Sequence, residues 1–167
     1  PPMPEGVSYA VVAFNFGNHG NSEYGGSRAS YVEDAAAVLR YTASLDGVNP
    51  NLMAALGTSI GADGAVDGCF AFNDEGEGGT CLGALSLSPG NYLTSEYSYA
   101  EAVELIDVSG HPVWCLAGLS DGPSAETCRS ASGELYRTFL YNGAAHGIRL
   151  IDPEETPVEP ELGNNTL

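Results

Sequence analysis

The chain has no lysine. Its 5 cations are all arginines, set against 22 aspartates and glutamates, for a net charge of −17 at pH 7. That balance excludes the usual nucleic-acid binder, whose cations must meet phosphates. It excludes docking on an anionic membrane surface for the same reason. An excess of carboxylates fits solubility in a salty or extracellular setting and leaves the fold open. No apolar run reaches the length that spans a bilayer. Cysteine is scarce, at 4 residues, and no pair has CxxC spacing, which argues against a zinc knuckle or a thioredoxin-like site. Cys69 and Cys81 flank one short loop, and Cys115 and Cys128 flank another. Two local disulfides are expected, and with them an oxidising, extracellular or periplasmic compartment. The alternative is four reduced, buried thiols.

The ends carry little pattern. PPMPEG (1–6) lacks the basic and apolar regions of a signal peptide. Because Pro1 is not an initiator, removal of upstream sequence is expected. Residues 153–167 are proline- and acid-rich without periodicity and read as an exposed tail, with a weak glycosylation sequon at Asn164-Asn165-Thr166. Residues 1–152 read as one domain, since 167 residues hold one real core and no internal linker is visible.

What is present is alternation. Val7–Phe16 is a β-branched and aromatic run, expected as a buried strand. Ser30 and Glu33 have capping-box spacing, and Val32, Ala36, Leu39 and Ala43 share one helical face behind them. Gly47 suits a stop. The segments NLMAAL, CLGALSLSP, PVWCLAGLS and YRTFLYN read as four further strands. Between them lie a helix of small residues from Gly61, a helix over TSEYSYAEAVELI and another over PSAETCRSASGEL. A short helix over AAHGIRLI closes the series. Strands alternating with helices predict an α/β fold: a three-layer α/β/α arrangement around a mostly parallel sheet of about five strands.

Sites in parallel α/β sheets form at the carboxyl ends of the strands. Ser59 follows the second expected strand, Asp121 the fourth and His146 the fifth, all at one edge. Acyl transfer needs that set. A serine hydroxyl becomes a nucleophile when a base takes its proton, and an acid orients the base. Gly57-Thr58-Ser59-Ile60-Gly61 has the GxSxG form of a strand-to-helix elbow, which makes the Ile60 N–H one oxyanion donor.

Other polar residues fit worse. His111 precedes its strand, and His19 sits in a Gly-Asn loop as a structural turn residue. Asp107 faces the wrong edge. Asp74, Glu75 and Glu77 lack calcium-loop spacing and read as solvated. Neither a metal nor another cofactor is expected.

VVAFNFGNHGNSE, ALGTSIGADGAV, LSLSPGNY, GLSDG and NGAAHG together resemble the α/β-hydrolase superfamily, close to its dienelactone-hydrolase-like and small bacterial esterase members. The likeness spans about residues 7 to 151. It implies hydrolysis of small carboxylic esters through Ser59, Asp121 and His146, with a small-molecule ester as partner. Dienelactone hydrolases proper have cysteine where this chain has Ser59, and Gly17-Asn18 replaces the family's usual arginine-glycine pair. The resemblance also implies that the chain is N-terminally truncated. Val7–Phe16 would match the family's fourth strand, and an absent strand would lie between it and NLMAAL, followed by a loop bearing the second oxyanion donor. Three readings follow: a fragment of a longer enzyme, a second chain or copy that completes the sheet, or direct pairing of the first two strands. Two other functions fit the sequence, a prolyl-oligopeptidase-like serine peptidase and a non-catalytic binding or assembly module with a vestigial triad.

Overall fold

A computed structural model of the chain describes residues 6, 8–23, 27–76, 78–93 and 97–152. A 3-10 turn at Arg28–Ser30 leads into α1 (Tyr31–Ala43). Then follow β1 (Met53–Thr58), α2 (Ile60–Glu75), β2 (Cys81–Leu87), α3 (Tyr99–Val108), β3 (Val113–Gly118), α4 (Gly122–Ser130) and β4 (Arg137–Tyr141), with a closing 3-10 turn at Gly147–Ile151. The fold is α/β, as the alternation predicts.

The four strands lie side by side in the order β1-β2-β3-β4, and every pair is parallel. Parallel neighbours need a crossover between them, and one helix supplies each. All carboxyl ends therefore meet at one edge.

The main core lies between one sheet face and the helices. Met53, Ala84, Val113, Cys115 and Ala117 meet Val66, Cys69 and Phe72 of α2, Val103 and Ile106 of α3 and Cys128 of α4. The small residues of α2 admit α1 at close range: a Cβ on Gly68 would lie 2.4 Å from that of Ala35. On the other face Leu87 and Leu116 pack with Ala145 and Leu150, from the last loop and turn. Leu56, Trp114 and Phe139 remain exposed.

Two disulfides pin helices to strands. Cys69–Cys81 joins α2 to β2, and Cys115–Cys128 joins β3 to α4. They are the two pairs expected from spacing. Among the described residues, no helix is long and apolar enough to cross a membrane.

Four expectations need correction. Residues 8–16 form no strand; residue 7 lies outside the described residues. The sheet accordingly has four strands among the described residues, where about five were expected. A strand requires a neighbour along its backbone, and among the described residues β1 pairs with β2 alone. Direct pairing of Val7–Phe16 with β1 is thereby overturned. Tyr9 and Val11 are 83% and 88% exposed, while Phe16 stacks on Tyr31 of α1 and holds the segment there. The Ser30–Glu33 capping box does not form either. The Ser30 hydroxyl bonds the backbone of Ser27, and Glu33 turns to Arg40. A capping box stands instead at Ser98–Glu101, opening α3. Residues 1–5 and the expected tail at 153–167, with its sequon, lie outside the described residues, as does Glu77.

Candidate functional site

Ser59 sits between β1 and α2 with φ 55° and ψ −125°. This is sparsely populated backbone for a residue with a side chain, and such strain persists where the surroundings impose it. Here β1 runs straight into α2 with no loop between. The turn closes because Gly57 has no side chain: a Cβ there would lie 1.7 Å from the Gly61 carbonyl oxygen. The Ser59 N–H donates to the Leu87 carbonyl at 2.9 Å, tying the turn to the end of β2. Ile60 is the first residue of α2. Its N–H therefore belongs to the helix-start amides that have no acceptor within the helix.

The neighbouring strand ends are joined in the same way. Ser88 N–H donates to Leu116 O, Leu119 N–H to Tyr141 O and Ser120 N–H to Gly143 O, at 2.7, 2.7 and 2.8 Å. These bonds carry the ladder past the strands into the loops that bear Asp121 and His146.

On this frame the three expected residues converge. Nε2 of His146 lies 2.9 Å from the Ser59 hydroxyl, and Nδ1 lies 2.7 Å from Oδ2 of Asp121. A carboxylate only accepts hydrogen bonds. Nδ1 therefore carries the ring proton, and Nε2 is left to accept from the Ser59 O–H. The Asp121 side chain is 14% exposed and that of His146 39%. The carboxylate is sheltered while the imidazole edge stays open to solvent. Asp121 is also the N-cap residue of α4 and accepts the Ala125 N–H at its carbonyl. Its backbone is thus fixed by the helix that follows.

The other candidates lie elsewhere. His111 precedes β3. Asp107, at the end of α3, accepts the N–H groups of Glu134 and Leu135 before β4. His19 Nδ1 lies 3.0 Å from the Gly17 carbonyl and 3.4 Å from the Tyr31 hydroxyl, within the turn that follows Phe16. Glu75 pairs with Arg40. Among the described residues no group of three His, Cys, Asp or Glu is placed to hold a metal ion.

Sequence reasoning missed Asp63 and Ser88. Asp63 is buried in the first turn of α2, and its carboxylate accepts the N–H groups of Gly90, Asn91 and Tyr92. Burial pushes this carboxyl up to about 6, against the opposing pull of those three donors. Ser88 follows β2 directly with φ 58°, fully buried, and its hydroxyl accepts the Gly147 N–H at 2.9 Å. A carboxylate inside a run of small buried residues was the available signal for Asp63. A serine before Pro89, after a strand of apolar residues, was the weaker one for Ser88.

No protein-family model, no curated protein and no solved structure matches the chain.

Proposed function

We propose that the chain is a serine hydrolase of small carboxylic esters, built on a three-layer, α/β-hydrolase-like plan. The observation that carries the reading is the hydrogen-bonded series Ser59–His146–Asp121 at the carboxyl edge of a parallel sheet, with Ser59 on a strained turn.

In this reading the ester carbonyl lies over Ser59. As Oγ attacks, its proton passes to Nε2 of His146, and Asp121 stabilises the imidazolium that results. The developing oxyanion meets the Ile60 N–H at the start of α2, where the helix dipole adds positive potential. Collapse of the tetrahedral intermediate expels the alcohol, which takes the proton from His146. Water then attacks the acyl-enzyme with His146 as base, releasing the acid and free Ser59.

One donor makes a weak oxyanion hole, and loss of a donor costs about 10²–10³ in turnover. The outer edge of β1 and the exposed segment 8–16 support a further strand beside β1, from a longer chain or a second one, bringing the second donor. The same open edge favours the second reading, an assembly module in which the triad is vestigial. The two disulfides support an extracellular or periplasmic setting for either.

A fluorophosphonate probe tests the primary reading. Covalent mass on Ser59 of the folded protein is expected, together with turnover of p-nitrophenyl acetate in preference to peptide anilides. Absence of labelling in the protein with its sheet completed sinks it. Preference for anilides moves the assignment to a prolyl-oligopeptidase-like peptidase.

A further inference from the structure

Two consecutive residues at the end of β2 hold both reacting groups by their backbones. The Leu87 carbonyl accepts the Ser59 N–H, and the Ser88 hydroxyl accepts the N–H of Gly147, the residue after His146. Ser88 is itself fastened to β3 through its N–H and the Leu116 carbonyl. The loop beyond it cannot swing away, because Asp63 of α2 grips the three amides at 90–92.

The choice of residue at 88 is informative. Its φ of 58° lies in the left-handed region, which a glycine occupies without cost and a serine does not. The backbone alone would be better served by glycine. What serine adds is a short acceptor, directed at a buried peptide. Gly147 is also left-handed, with φ 61°, so the chain reverses immediately after His146. The position of that reversal sets where the imidazole stands between Ser59 and Asp121.

We propose that Ser88 is a positioning residue for the base: its hydroxyl fixes the Gly147 peptide and thereby holds the His146 ring at hydrogen-bonding distance from both Ser59 and Asp121. The inference rests on the hydrolase reading for its effect on turnover, but not for its geometry. A shift of the ring by about 1 Å is enough to lower turnover on the order of 100-fold.

The test uses Ser88→Gly, which relieves the backbone and removes the whole hydroxymethyl group, and Ser88→Cys, which keeps the Cβ and a weak acceptor. NMR of the whole chain follows the His146 ring resonances, their pH titration and the exchange of the Gly147 amide. In the unaltered protein that amide exchanges slowly. In Ser88→Gly its exchange speeds at least tenfold and the His146 ring resonances and titration move, with Ser88→Cys intermediate. Turnover of p-nitrophenyl acetate by Ser88→Gly falls about 10- to 100-fold with KM within twofold. A Gly147 amide that exchanges at free-peptide rate in the unaltered protein overturns the proposal, even if a variant does not fold. So do His146 resonances that are the same in Ser88→Gly. Undiminished fluorophosphonate labelling in Ser88→Gly overturns it too and leaves the hydrolase reading standing. An unaltered protein that never labels, but whose His146 responds to the variants, fails the hydrolase reading and supports the positioning role.

Discussion

Gly57 and Gly61 face each other across the turn that carries Ser59, so closely that a Cβ on Gly57 would lie 1.7 Å from the Gly61 carbonyl oxygen. The reverse contact does not exist: a Cβ on Gly61 would have no neighbour within 4 Å. The two glycines of one motif therefore have different roles. Gly57 lets strand and helix meet, while Gly61 simply occupies the first turn of α2.

Substitution by alanine separates them. Gly57→Ala should prevent the turn from closing, with loss of native circular dichroism or a fall in unfolding free energy beyond the 1–3 kcal/mol typical of overpacking. Gly61→Ala should fold and gain up to about 1 kcal/mol from helix propensity. Urea unfolding of the pair checks both. Equal stability of the two variants would contradict the geometry.

Asp121→Asn keeps size and removes the charge. In the proposed mechanism the amide presents an N–H toward His146 and favours the wrong tautomer, so kcat should fall about 10⁴-fold with the fold intact. Ser59→Ala should lose fluorophosphonate labelling altogether. Steady-state kinetics on p-nitrophenyl acetate measures the first and intact mass the second. A loss of under tenfold in Asp121→Asn would remove Asp121 from the orienting role.

Asp63 makes stability depend on pH in an unusual direction. Its carboxyl is raised by burial from 3.8 to about 6, so between those values the folded chain holds a proton that the unfolded chain has released. Its contribution is fully present below about pH 3.8 and is lost as pH rises through 6. The gap corresponds to about 3 kcal/mol. Asp63→Asn does not titrate. Its urea-unfolding free energy should therefore gain on that of the unaltered protein by about that amount between pH 3.5 and pH 7. Parallel profiles for the two proteins would show that the buried carboxyl does not hold its proton.

Much of this architecture is written in local pattern. The apolar runs at Met53–Thr58, Cys81–Leu87 and Val113–Gly118 form three of the four strands, and the spacing of the cysteines places both disulfides. Ser59, Asp121 and His146 could be singled out because parallel strands deliver their carboxyl ends to one edge. What local pattern cannot carry is partnership. Val7–Phe16 has strand composition, yet a strand exists only beside another, and β1 offers no pairing to residues 8–16. Glu33 has capping-box spacing from Ser30, yet it was drawn away by Arg40, one helical face along. Ser88 and Asp63 act through backbone amides far off in sequence, and amides leave no signature in side-chain pattern.

The edge of β1 is the place where that missing partnership has a physical consequence. Leu56 there is 55% exposed, and Tyr9 and Val11 stand exposed on a segment without a strand neighbour. Open, apolar strand edges template further pairing, and natural proteins block them with charge or cover. The isolated chain should therefore self-associate, with a mass in light scattering that rises with concentration despite its net charge of −17. High salt should strengthen the association by screening that charge. Leu56→Lys should reduce it without disturbing the Ser59–His146 bond, since Leu56 does not belong to either core cluster. A monomer at all concentrations, with full hydrolytic turnover, would remove the case for an added strand and for a donor supplied by it.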